Sequence, residues 1–284
     1  MVALKRALYV ILKRPFIICF TGFIALLYCI IDFYNPLTRI LVGFDNIGKG
    51  DFLESIVYTI QLLRSTIMNT KNFLTDIIFF LLFLTLISIV LGVLLSGYFS
   101  IINKALDGIP KSRGELLQGT KKYGIRTAWV FFRVIFSGLL VFIILLIASL
   151  PAVIVTKAWL SGKTELTLVM AFLDVMTLGI LFFGLIFFSV YVLFWFPSTL
   201  NFDKKAFSIA KRTADNDFWH VVLQLIIFEA AFLIIHFVLS LLSGSFPNFI
   251  SFTVAWLVKT MFFTLFAVFI FSSFKVIRKK HSIK

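Results

Sequence analysis

Five ionisable side chains lie well inside long apolar stretches of this 284-residue chain, away from their ends: Arg133, Asp174, Glu229, His236 and Lys259. A charge at bilayer depth costs roughly 2.5–3.5 kcal/mol on insertion scales, so each of the five needs a partner, water or a task. Two chemistries suit them. Buried ion pairs would fix helix order and rotation, whereas the same groups strung along a hydrated path would exchange protons or bind a charged solute. Counted along their apolar runs, Arg133 and Glu229 differ by roughly 6 Å in depth, and Asp174 and Lys259 share a level at about 1.5 Å of rise per residue. Glu229 and His236 are seven residues apart and share a helix face that Ser240 and Ser243 continue, a face expected to look into a helical bundle.

Catalytic chemistry finds no purchase. The sequence lacks a Walker A run, Gly-x-Ser-x-Gly, His-Glu-x-x-His and any carboxylate-rich metal cluster. Cys19 and Cys29 fall on one apolar segment, about 15 Å of helix rise apart, too far to bond within a regular helix. No catalytic residue, metal site or cofactor is expected.

The elements that position these groups follow from hydropathy. Hydrophobic residues make up 61% of the chain, with 37 Phe, well above the roughly 45–50% of soluble proteins. Six apolar runs, about residues 16–34, 77–101, 128–156, 166–196, 218–243 and 250–273, are each long enough to span a bilayer as a helix. Strands would alternate polar and apolar with period two, so an all-α polytopic fold is predicted. The loop between the first two spans carries an expected outer amphipathic helix at about 52–68, opened by the capping-box spacing of Asp51 and Glu54.

Charge orients the spans. Of 27 Lys and Arg, 19 lie in residues 1–15, 102–127, 198–217 and 274–284, which together carry the whole net charge of +14. The positive-inside rule therefore places both termini in the cytoplasm. This surplus is expected to meet anionic lipid headgroups, with no nucleic acid as partner. Phe, Ile and Lys richness fits a bacterial plasma membrane.

Each odd-numbered span follows a short segment ending in a basic pair: Lys13-Arg14, Lys121-Lys122 and Lys211-Arg212. Such segments are expected to lie as interfacial helices, their cations snorkelling to phosphates. The predicted architecture is three hairpins, each introduced by one of them. This layout, with Pro197, the run Lys205-Ala-Phe-Ser-Ile-Ala-Lys211-Arg212 and Phe218-Trp219 entering the fifth span, resembles the membrane domain found ahead of glycerophosphodiester phosphodiesterase domains. The phosphodiesterase domain has no counterpart here, so the resemblance implies a six-helix, non-catalytic membrane module.

Two function classes suit the chain. The first is a transport-associated, permease-like membrane subunit, with a basic cytoplasmic face on which a protein partner could dock. The second is a structural or accessory membrane protein that organises envelope components or lipids without moving a solute. A continuous hydrated cavity along the five ionisable groups would distinguish the first from the second.

The topology is checked with single cysteines in a background lacking Cys19 and Cys29. An impermeant reagent applied to intact cells should label Ile60→Cys and Gly162→Cys and spare Pro110→Cys and Lys280→Cys; the reverse pattern overturns the orientation.

Overall fold

The computed structural model describes residues 2–34, 73–160, 168–202, 205–243 and 248–281. The expected amphipathic helix at about 52–68 lies outside these residues, as do the side chains of Ser240 and Ser243. All regular structure among the described residues is α-helix: α1 (Val2–Lys13), α2 (Pro15–Tyr34), α3 (Phe73–Leu106), α4 (Glu115–Leu160), α5 (Leu168–Asn201), α6 (Ala206–Asn216), α7 (Phe218–Ser243) and α8 (Asn248–Lys280). Five stretches, Ile78–Leu106, Glu115–Thr156, Leu168–Asn201, Phe218–Leu239 and Phe249–Lys280, are long and apolar enough to cross a membrane, and the bent pair α1–α2 counted as one span makes six. The chain is an all-α polytopic membrane protein.

α1 and α2 meet at 94°. Pro15 explains the break: it has no N–H to continue the α1 ladder, its ring disfavours helix in the residue before it, and its fixed φ suits the first turn of a new helix. The Arg14 amide still bonds back to the Val10 carbonyl at 3.0 Å, and the Arg14 carbonyl accepts from the Ile17 amide at 3.0 Å. The elbow is thus hydrogen-bonded on both sides of the proline.

Helix continuity departs from the sequence reading in two places. The basic segment ending in Lys121-Lys122 is the opening of α4, a single helix of 46 residues, and not a separate interfacial helix. At 1.5 Å per residue α4 is about 69 Å long, far more than a hydrocarbon core of about 30 Å requires. The second departure is α5, which continues through Pro197 to Asn201, where the Asn201 side-chain Nδ2 donates to the Pro197 carbonyl at 2.6 Å. Charges mark where lipid ends, and a helix with packing partners has no reason to stop there.

The chain forms two compact units. The first comprises Met1–Ile31, Ile87–Val134 and Ile186–Lys284 and so contains all four basic segments. Its apolar packing has two centres. One gathers Ala3 and Ala7 of α1, Ile17 of α2, Tyr98 and Ile102 of α3 and Val268 of α8; the other gathers Ile186 and Val190 of α5, Val222 and Leu225 of α7 and Phe274 of α8. Polar pins cross the first centre. Thr21 and Tyr98 share a hydrogen bond of 2.7 Å, and the Trp256 indole donates to the Gly22 carbonyl at 2.7 Å.

Within this unit α3 and α4 approach through small residues. A Cβ at Gly92 would lie 2.4 Å from the Ala128 backbone, one at Gly97 2.5 Å from the Leu116 carbonyl oxygen, and one at Gly119 2.7 Å from the Ser100 Cβ. Lipid tails are as apolar as Leu, so helices in a membrane associate by close packing and not by hydrophobic exclusion. The turn between them is capped by Gly108 at φ +73: the Gly108 amide bonds to the Ala105 carbonyl and the Ile109 amide to the Lys104 carbonyl, a Schellman closure of α3.

The second unit comprises Asp32–Leu86 and Ile135–Leu185. In it Gly184 packs against Leu145, whose Cδ2 would lie 3.0 Å from an added Cβ, while Gly179 faces open space. Of these two glycines of α5, Gly184 is the one at which α4 comes close. Val175 and Leu178 are widely exposed, as lipid-facing side chains are.

Gly92→Ala forces a methyl into backbone and should lower stability in detergent by about 1–3 kcal/mol, the usual cost of overpacking. Gly179→Ala should leave it unchanged or slightly raised through helix propensity. Equal thermal midpoints for the two variants would remove the seam from the account of the fold.

Candidate functional site

The densest polar chemistry sits among the basic segments of the first unit. At the elbow Arg14 Nη1 donates to Glu115 Oε2 at 2.9 Å, and its Nη2 donates to the Ile109 carbonyl. The two side chains are 11% and 6% exposed. Glu115 opens α4, where a carboxylate also complements the helix dipole. One guanidinium therefore fixes the α1–α2 elbow to the α3–α4 turn. Arg6 Nη2 repeats the tie from α1, donating to the Leu106 carbonyl at 2.6 Å.

The end of α8 closes the layer. Lys275 Nζ lies 2.7 Å from Asp107 Oδ1 and donates to the Asn103 carbonyl at 2.8 Å. Asn103 and Asn201 exchange amide hydrogen bonds of 3.2 Å, linking α3 to α5. Ser272 Oγ donates to the Ala3 carbonyl at 2.9 Å, holding α1 on α8. Asp217 accepts from Lys280 Nζ at 3.0 Å, with His281 Nε2 3.5 Å away. Burial pushes the Asp217 carboxyl up, but its bonds and charge attraction to Lys280 and His281 outweigh that and hold it below the ordinary carboxylate value.

A cavity of about 670 Å³ opens between the elbow and the α3–α4 turn. Lys13, Arg14, Lys111 and Arg113 line it, with Glu115 as its carboxylate and Tyr9, Phe16, Ile101 and Leu116 among its apolar walls. Its volume is that of an ordinary small-molecule site. Glu115 Oε1 is buried with no hydrogen-bond partner, and Lys104 Nζ stands 3.8 Å from it.

Within the first unit Arg133, Glu229, His236 and Lys259 have separate surroundings, and Asp174 belongs to the second unit. Arg133 lays its guanidinium over the rings of Trp129 and Phe207, at 4.9 and 4.2 Å, so it turns toward α6; among the described residues no ion pair joins it to Glu229. Lys259 is 3% exposed, with Nζ 4.8 Å over the Tyr28 ring. Asp174 accepts from Thr156 Oγ1 at 3.0 Å. Glu229 is exposed and His236 half-buried beside Phe232, so the face they share does not look into the bundle as expected. The reason is the position of the buried stripe. α7 packs through Val221, Val222 and Leu225, with Phe228 against Phe262, Phe266 and Phe269, and Glu229 is one residue and so about 100° further round.

Of the six interfacial cations, Lys13, Lys121, Lys122, Lys211 and Arg212 are exposed. Arg14 is the exception, taken up by Glu115. Among the described residues no group of three or more His, Cys, Asp or Glu could hold a metal ion; Cys19 is exposed and Cys29 buried. Sequence reasoning missed Glu115, Asp107 and Lys275. The signal for Glu115 was its placement just after Gly114, a lone acid opening a basic segment.

No protein-family model, curated protein or solved structure matches the chain.

Removing one member of a buried ion pair strands the other, so Glu115→Gln should cost about 3–5 kcal/mol in detergent-solubilised protein. Arg14→Met combined with Glu115→Gln should recover much of that loss. Additive losses in the double-mutant cycle would mean that the two are not energetic partners.

Proposed function

We propose that this protein is a non-catalytic accessory protein of a bacterial plasma membrane, with both termini in the cytoplasm, that organises anionic lipid at the inner leaflet. The observation that carries this reading is the double-sided packing of α1. Ala3, Ala7, Val10 and Ile11 are buried on one side, while Leu4, Leu8 and Leu12 form an exposed row at 38%, 48% and 83% on another, beside exposed Lys5 and Lys13. An apolar row at i, i+4 and i+8 next to cations suits the headgroup level, with leucines among acyl chains and ammonium groups at phosphates. Cations in that layer contribute on the order of 1 kcal/mol each near an anionic leaflet. The six-helix, non-catalytic module implied by the sequence resemblance fits the same proposal.

The permease-like reading draws on Lys259, a cation buried within an apolar helix. A substrate-free experiment separates the two. In a protein lacking Cys19 and Cys29, the accessory reading expects Asp174→Cys, Glu229→Cys and His236→Cys to resist a charged, impermeant thiol reagent in membranes, while Lys111→Cys reacts. Labelling of all three from one side would mark a hydrated path and replace this proposal with the permease-like one.

A further inference from the structure

We infer that the cavity between the α1–α2 elbow and the α3–α4 turn is a binding site for one anionic phospholipid headgroup, a phosphodiester carrying a hydroxyl donor. Three features of the cavity select that chemistry. Four cations line it against one carboxylate, and Lys13, Lys111 and Arg113 have no carboxylate partner among the described residues, which suits a phosphodiester anion. Glu115 is already charge-balanced by Arg14, with Lys104 Nζ a further 3.8 Å from Oε1, yet that buried oxygen accepts no hydrogen bond. A buried acceptor left empty costs about 1–3 kcal/mol, and an ionised oxygen here calls for an O–H or N–H from a ligand. With a net positive lining, an anionic headgroup with a neutral hydroxyl answers both demands better than a zwitterionic one.

The walls supply the third feature. Tyr9, Phe16, Ile101 and Leu116 put apolar surface beside the cations, and the exposed Leu12 continues α1 outside. A free phosphate would leave that surface unused, whereas a phospholipid brings the first methylenes of its acyl chains to it. The two glycines that bound the turn, Gly108 and Gly114, at φ +73 and +70, carry Lys111 and Arg113 between them with open space around both. The two glycines add no side chain at either end of the turn, whose Ile109, Pro110 and Ser112 line the cavity beside the cations.

This inference rests on the reading of the basic segments as facing an anionic leaflet, and its test is independent of the hydrated-path experiment. Full-length protein in neutral detergent is mixed with phosphatidylglycerol, phosphatidylethanol or phosphatidylcholine, and retained lipid is counted by native mass spectrometry. Phosphatidylethanol has the same charge as phosphatidylglycerol and no headgroup hydroxyl. One phosphatidylglycerol per chain should be retained, at least about tenfold more tightly than either of the others, a difference worth about 1.4 kcal/mol. The exposed-loop double variant Lys111→Gln, Arg113→Gln should lose it, while Lys211→Gln, Arg212→Gln, with the same change of charge on α6, should keep it.

Equal retention of phosphatidylglycerol and phosphatidylethanol would overturn the role of Glu115 Oε1 and with it the site as described. Equal losses in both double variants would reduce the binding to general attraction, overturning the cavity while leaving the accessory reading in place. Saturable binding of inorganic phosphate or glycerol phosphate, blocking phosphatidylglycerol and abolished by the Lys111, Arg113 variant, would overturn the lipid in favour of a soluble phosphate ligand. If the intramembrane cysteines label but phosphatidylglycerol binding follows the expected pattern, the accessory reading fails and the site stands.

Discussion

The Arg14 guanidinium is held between the Glu115 carboxylate and the Ile109 carbonyl, and the arrangement of the basic segments follows from that placement. Pro15 breaks the helix but does not by itself say which way α1 goes. The direction is set by what Arg14 reaches from the last turn before the break. Once it is bound to the start of α4, α1 lies across the ends of neighbouring helices with Ala3 and Ala7 inward, and Arg6 meets the exposed carbonyl at the end of α3. An ion pair this buried gains little net free energy over a well-packed apolar pair, because desolvation offsets most of the attraction. Its value is geometric: a misplaced elbow would leave two charges unpaired, so alternative docking of α1 is penalised more than the native docking is rewarded.

Close packing of α3 on α4 makes that geometry available. The Arg14 acceptors, Ile109 and Glu115, flank the turn joining these helices, and the turn can be positioned only if the helices are. Glycines at 92, 97 and 119 bring the backbones to a separation that any Cβ would prevent. Shape complementarity is the principal driving force within lipid, so one methyl at the seam would move the turn away from the elbow. The seam and the ion pair are therefore successive layers of one construction.

Much of the architecture is legible in the sequence, because a bilayer imposes length and hydropathy on each span and charge on its flanks. The short helices α1 and α6 ahead of the first and fifth spans are likewise readable, each from an amphipathic segment ending in a basic pair, whereas the 94° bend at Pro15 is not. The unread part has a common physical cause. In a helix apolar on nearly every side, as α7 is, the sequence carries no moment to say which face packs, so the exposure of Glu229 depends on where Phe228 meets α8. The continuity of α4 past Lys121-Lys122 and of α5 past Pro197 also has no local signature: each is settled by tertiary contacts, Gly119 on Ser100 in one and Asn201 with Asn103 in the other.

The same contacts change the meaning of the positive charge. Topogenesis alone would ask only that Lys and Arg outnumber acids on one side. In the first unit the described carboxylates of the basic segments are each engaged internally: Asp107 with Lys275, Glu115 with Arg14, Asp215 with the Tyr191 hydroxyl at 2.8 Å, and Asp217 with Lys280 and His281. Internal acids thus hold internal cations, and exposed Lys13, Lys111, Arg113, Lys121, Lys211 and Arg212 are left to find counterions outside the chain. At a membrane the densest external counterions are lipid phosphates, and exposed ammonium groups lose that attraction within a Debye length of about 8 Å at physiological salt. Among the described residues the cavity beside Arg14 combines such cations with a buried acceptor and an apolar wall, which is why the proposed headgroup site is placed there.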